Sequence, residues 1–189
     1  GSWAINPTFR IALAMFQSLQ LAGINYVIDP QTPYAKFSKD KVALDYLQFP
    51  RQTLDYYAGD CDDLSILYCA LLESVGIETA FITVPGHIYM AFNVGETPEE
   101  AATMFHKPGD LIVRDEKAWL PVEITQVQEG FVTAWRTGAK EWREHQEGEA
   151  VQIYPMHESW LLYEPVAVPE GESDFIFPAT EKIRTAYNN

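Results

Sequence analysis

The sequence predicts an α+β chain, and three stretches carry that expectation. After Gly59-Asp60 a helix is expected from about Cys61 to Val75, and from Leu64 to Leu72 only Ser65 is clearly polar; this is the pattern of a helix buried on several sides. Thr79 to Val84 and His87 to Val94 are rich in β-formers and are separated by the turn signal Pro85-Gly86, which reads as two strands. Glu129 to Glu144 sets Phe131, Ala134, Trp135, Gly138, Ala139 and Trp142 on one stripe, with Arg136, Lys140, Arg143 and Glu144 outside it, so that this helix could cover a sheet face.

In chain order, Asn6-Pro7 is a cap followed by proline at the first helical position, and Phe9, Leu13, Phe16 and Leu19 or Gln20 recur at helical spacing up to Gly23. Residues 25–29 read as short and extended. Pro30 to Asp40 reads as a polar connector carrying the aromatic pair Tyr34 and Phe37. Val42 to Phe49 leads into a proline-started helical turn at Pro50 that ends at Tyr56-Tyr57-Ala58-Gly59. Asp60 is a helix cap, Asp62 and Asp63 suit the positive end of a helix dipole, and Gly76 is a stop. Thr97-Pro98-Glu99-Glu100 caps a short helix to about Met104. Leu111 to Val113 and Ala118 to Ile124 read as strands joined by Asp115-Glu116-Lys117. Further strand is expected between Gly148 and Pro169, notably Ser159 to Tyr163, and a weak helix near Ala179 to Tyr187. The organisation expected is one domain over residues 1–169 and an acidic tail over 170–189.

Composition narrows the function classes. The chain has 189 residues, 47% of them hydrophobic, enough for a full core. Thirteen basic against 27 acidic residues give a net charge of −14, which disfavours nucleic acid and anionic membrane as partners because both select positive patches. No run of about 18 apolar residues is present to span a bilayer. Gly1-Ser2 reads as a cloning scar, so the expectation is a piece of a longer polypeptide. Localisation is not written in the sequence, and an extracytoplasmic or envelope setting is compatible with it.

The two cysteines do not make a disulfide framework. Eight residues apart in one helix, Cys61 and Cys69 are separated by ~12 Å, against a ~7 Å limit for pairing. Cys69, between Tyr68 and Ala70, reads as core. Cys61 opens the helix, where unpaired N–H groups and the dipole favour a thiolate, although the adjacent aspartates oppose it.

On strand alternation, His87 shares a face with Tyr89, Ala91 and Asn93, and Glu123 shares one with Trp119 and Pro121. His87 begins a strand and Glu123 ends one, so antiparallel neighbours would bring them together. A cysteine at a helix N-terminus, a histidine opening a strand and a carboxylate ending one make a Cys-His-acid triad: the thiolate attacks an acyl carbon, the imidazole carries the proton, and the carboxylate orients the imidazole. His106, His145 and His157 lack ligand spacing, so no zinc site is expected. Asp60, Asp62 and Asp63 lack the spacing of a compact calcium loop and read as capping.

Gly59-Asp60-Cys61-Asp62-Asp63, Gly86-His87 and Trp119-Leu120-Pro121-Val122-Glu123-Ile124-Thr125 together resemble the three motifs of the transglutaminase-like superfamily of papain-like cysteine enzymes, over roughly residues 50–125. The resemblance implies a cysteine-bearing core helix packed on an antiparallel sheet that carries the other two residues. It makes Cys61 the nucleophile, His87 the general base and acid, and Glu123 the orienting carboxylate. Two departures stand out: Glu123 where Asp is usual, and Tyr89 where Trp is common. For the oxyanion, the Cys61 N–H and the side chains of Gln52, Tyr56 or Tyr57 are candidates; Tyr89 and Trp119 are candidates for the substrate groove. No cofactor and no metal are expected. The activity implied is hydrolysis of peptide or side-chain amides, as a cysteine peptidase or amidase acting on a protein or peptide. Transglutaminase-type cross-linking is the close variant, and an idle binding module of a larger envelope protein is the alternative from another class.

Overall fold

The computed structural model describes residues 6–28, 47–105, 107–146, 150–166, 171 and 173–188. The connector with Tyr34 and Phe37, residues 42–46 and His106 therefore lie outside the described residues.

Helix α1 (Pro7–Ala22) starts as its sequence dictates: Asn6 Oδ1 accepts the Phe9 N–H at 3.1 Å, Pro7 opens the first turn, and Gly23 at φ 84° closes the last. Asn6 also donates to the Val94 carbonyl at 2.8 Å, tying the helix start to the body. A two-residue strand β1 (Asn25–Tyr26) pairs in parallel with β2 (Ala58–Gly59). Between them helix α2 (Pro50–Tyr56) ends at Tyr57, which takes the left-handed conformation at φ 56°. The cysteine helix α3 (Cys61–Glu73) follows β2 at once, and Gly76 at φ 78° turns the chain out of it.

Five strands form one antiparallel sheet in the order β5-β6-β4-β3-β7, from Thr79–Val84 (β3), His87–Asn93 (β4), Ile112–Arg114 (β5), Lys117–Val122 (β6) and Gln152–Pro155 (β7). The alternation read from sequence holds. Met90, Phe92, Leu120 and Val122 face a large core shared with Phe16, Leu64, Leu67, Tyr68 and Leu72 of α1 and α3. Tyr89, Ala91 and Trp119 face a second, smaller core with Ala80, Ile82 and Ile112. A helix as short as α3 is marginal by itself; burial of its leucines, each contributing ~1.5–3 kcal/mol, holds it in place.

Helix α4 (Pro98–Met104) is capped by Thr97 as expected. Helix α5 (Phe131–Gln146) follows a 3₁₀ segment, Ile124–Glu129, and lies against β6. Contact is close because Gly138 has no side chain: a Cβ there would sit 3.1 Å from the Glu123 nitrogen and 3.2 Å from the Val122 nitrogen.

One expectation changes at the C-terminal end. Ser159 to Tyr163 is not a strand: helix α6 (Met156–Ser159) turns the chain immediately after β7, the Ser159 hydroxyl bonds back to the Pro155 carbonyl at 3.0 Å, and Leu161 and Leu162 are exposed. β-forming residues without a neighbouring strand to pair with do not make a strand. The acidic tail, for its part, is docked on the body. Helix α7 (Thr180–Asn188) lies on α1, with Gln17 donating to the Ala186 carbonyl at 3.2 Å and Arg10 to the Tyr187 hydroxyl at 2.9 Å. Ahead of it, the Asp174 N–H bonds Asp55 and the Ile176 N–H bonds the Tyr57 hydroxyl. Among the described residues no helix is long and apolar enough to cross a membrane.

Candidate active site

The turn into α3 is held by its aspartates. Asp60 Oδ1 and Asp62 Oδ1 both accept the Asp63 N–H, at 3.4 and 3.0 Å, and Asp63 receives the backbone and side-chain amides of Gln48 at 2.7 and 2.6 Å. Burial raises the Asp63 pKa, partly offset by the bonds from Gln48. Gly59 is required here, since a Cβ would lie 2.7 Å from Asp63 Cβ. The result is a fixed first turn presenting Cys61, whose exposure is 6%: more closed than a helix end open to water. Cys69 is buried in the large core, and burial pushes its thiol up to about 12.

Strand register brings the other two residues together. Met90 faces Val122 and Ala91 faces Pro121 across β4 and β6, so one further step sets Glu123 opposite Tyr89 on the His87 face. His87 Nε2 lies 2.6 Å from Glu123 Oε2. The other Glu123 oxygen accepts the Thr125 N–H at 3.1 Å and its hydroxyl at 2.5 Å, so both oxygens of this buried carboxylate are engaged. The Cys61 thiol is close enough to the same imidazole to raise its pKa. With Nε2 taken by Glu123, Nδ1 is the nitrogen left for sulfur. Burial disfavours the imidazolium, but the hydrogen bonds to Cys61 and Glu123 and their charges outweigh it and push His87 up to about 10.

The oxyanion and groove candidates sit in different settings. Gln52 Oε1 accepts the Phe49 N–H at 2.9 Å and so caps its own helix. Tyr56 is 62% exposed, and the Tyr57 ring packs on Phe175 with its hydroxyl bonded to Ile176. Tyr89 and Trp119 do not line a groove: both are buried in the smaller core, where Trp142, Val151 and Ile153 cover their face of the sheet. Tyr89 instead stacks against His87, ring centroids 6.0 Å apart and 19° between planes.

Two residues at the site escaped the sequence reading. Tyr26 is aligned with Gly59 by the short parallel pair, and its pKa is raised by burial first and then by Cys61, Asp60 and Glu123, which places its phenol within electrostatic reach of the thiol. Glu141, on α5, has Oε2 3.9 Å from His87 Nε2, and burial together with the Glu123 charge pushes its carboxyl up to about 7. The signal for Glu141 was present, since residues 134, 138 and 141 follow the apolar stripe of its helix. For Tyr26 a two-residue strand left none.

Ligating atoms of His87, Glu123 and Glu141, and separately those of Asp60, Cys61 and Asp62, lie within 4.8 Å of one another, a spacing that could hold a cation. In the first group His87 and Glu123 are already bonded to each other, and in the second Asp60 and Asp62 cap α3. His145 and His157 bond elsewhere, to the Glu141 carbonyl and to Glu73. What fold and site define together is an α+β domain in which a histidine bonded to a buried glutamate lies near the cysteine that opens a core helix. Comparison of the chain with family models, with curated proteins and with solved structures finds no match.

Proposed function

We propose that this chain is a thiol-dependent hydrolase or acyl transferase of the transglutaminase-like, papain-like kind, acting on peptide or side-chain amides of a protein or peptide substrate. One observation carries the reading: His87 Nε2 lies 2.6 Å from Glu123 Oε2, with the Cys61 thiol close enough to the same ring to raise its pKa. Sulfur attacks the amide carbon as the thiol proton passes to His87; the imidazolium returns that proton to the departing amine, leaving a thioester. Water then hydrolyses the thioester, or an amine takes the acyl group. The Cys61 N–H, at the first position of α3, is available to the oxyanion, and Tyr26 is better placed than Tyr56 or Tyr57 to assist it.

A panel of labelled amide substrates, with and without a primary amine, tests this. Wild-type protein should release amine and accumulate an acyl-enzyme mass adduct on Cys61, and Cys61→Ala should do neither. Product carrying the added amine would favour cross-linking over hydrolysis. The 6% exposure of Cys61 favours a second reading, a binding module without turnover; folded wild-type protein that forms no adduct with any amide would establish it.

A further inference from the structure

The triad needs one carboxylate, and this site holds two. Glu141 reaches in from α5, with Oε2 buried, without a hydrogen-bond partner and 3.9 Å from His87 Nε2. An oxygen of Glu123 lies within 4.8 Å of it. The groups facing Glu141 are His87 and Tyr89 from β4, Glu123 from the end of β6 and His145 from its own helix. The Tyr89 hydroxyl is also buried without a partner.

We infer that Glu141 is a positioning residue for the triad, holding a proton beside Glu123 when neutral and placing a second negative charge beside His87 when ionised, so that one protonation event tunes the thiol–imidazole pair. The inference rests on the reading of Cys61, His87 and Glu123 as a catalytic unit. Two carboxylates this close do not both ionise freely, and the rise of Glu141 to about 7 places its titration within the working range of an enzyme. Below that pH the imidazole sees one carboxylate charge; above it, two. The added charge favours the imidazolium and with it the reactive thiolate.

The test is the pH dependence of Cys61 alkylation by iodoacetamide in the intact chain, read by mass spectrometry, alongside the NMR titration of the His87 ring. In the wild type both should show an inflection near pH 7, with the alkylation rate rising about three- to tenfold through it. Glu141→Gln, neutral at every pH and almost the same size, should abolish that inflection in both readouts, as should Glu141→Ala. A wild-type His87 titration featureless near pH 7, or an inflection that persists in both variants, overturns the inference. Should Cys61 alkylate no faster than Cys69 while the His87 inflection appears and depends on Glu141, the proposed function fails and the pairing of Glu141 with the histidine stands.

Discussion

Glu141 also makes a prediction about folding that needs no substrate. An unfolded chain leaves its carboxyl near 4.5, and the folded protein raises it to about 7. The folded state therefore binds the proton more tightly, and between those values the unfolded state holds fewer protons. Stability contributed by this residue is full below about pH 4.5 and falls as pH rises towards 7. The whole shift corresponds to a ceiling of ~3.4 kcal/mol, and solvent screening at this partly exposed side chain reduces it to about 1–2 kcal/mol. Glu141→Gln removes the penalty. At pH 5 the two proteins should unfold at similar temperatures; at pH 8 the variant should melt higher by roughly 3–6 °C for a chain of this size. Differential scanning calorimetry at the two pH values reads the difference directly. A variant equally or less stable than the wild type at pH 8, or a gain of the same size at both pH values, would refute the reasoning.

Other consequences follow from the same geometry. Glu123→Gln keeps the size of the side chain but cannot stabilise an imidazolium, so kcat on an amide substrate should fall by up to ~10⁴, whereas Glu123→Asp should lose about tenfold through misplacement alone. Thr125→Val removes the hydroxyl donor to Glu123 and should lower kcat about fivefold, with Thr125→Ser restoring it. Gly138→Ala would force α5 away from the Glu123 and Val122 backbone, lowering stability by about 1–3 kcal/mol in urea unfolding and reducing activity with it. In native protein, iodoacetamide should label Cys61 ahead of Cys69, because Cys61 sits at the edge of its helix beside an imidazole and Cys69 lies in the core; mass spectrometry of the digested adduct decides.

How much of this was legible in the sequence depends on how local each signal is. The Asp60 cap, the Gly76 stop and the faces of β4 and β6 follow from spacing within a single element, and they appear as expected. From them the meeting of His87 with Glu123 could be anticipated. What depended on distant partners could not. Tyr89 and Trp119 looked available because nothing in their strands says that the α5 side of the sheet is covered there. Tyr26 reaches the site through a two-residue pairing with residues 58–59, too short to carry periodicity. Ser159 to Tyr163 has strand composition, but the edge of β3 is already taken by β7. Glu141 was overlooked because carboxylates on an amphipathic helix are ordinarily on its wet face.

If the proposed function holds, the division of the two Glu123 oxygens bears on how work is distributed over a catalytic cycle. One oxygen is clamped by Thr125 and the other by His87, while the backbone nitrogen of the same residue donates to the Ala134 carbonyl at 3.0 Å. The carboxylate thus has no rotation left to lose when substrate arrives. Its ordering entropy is met once, as the chain folds, rather than at every turnover, and dipoles already aimed at a developing charge need little reorganisation in the transition state. Such a site exchanges adaptability for readiness: it suits one geometry of attack, with selection among substrates left to whatever governs entry to the nearly closed sulfur.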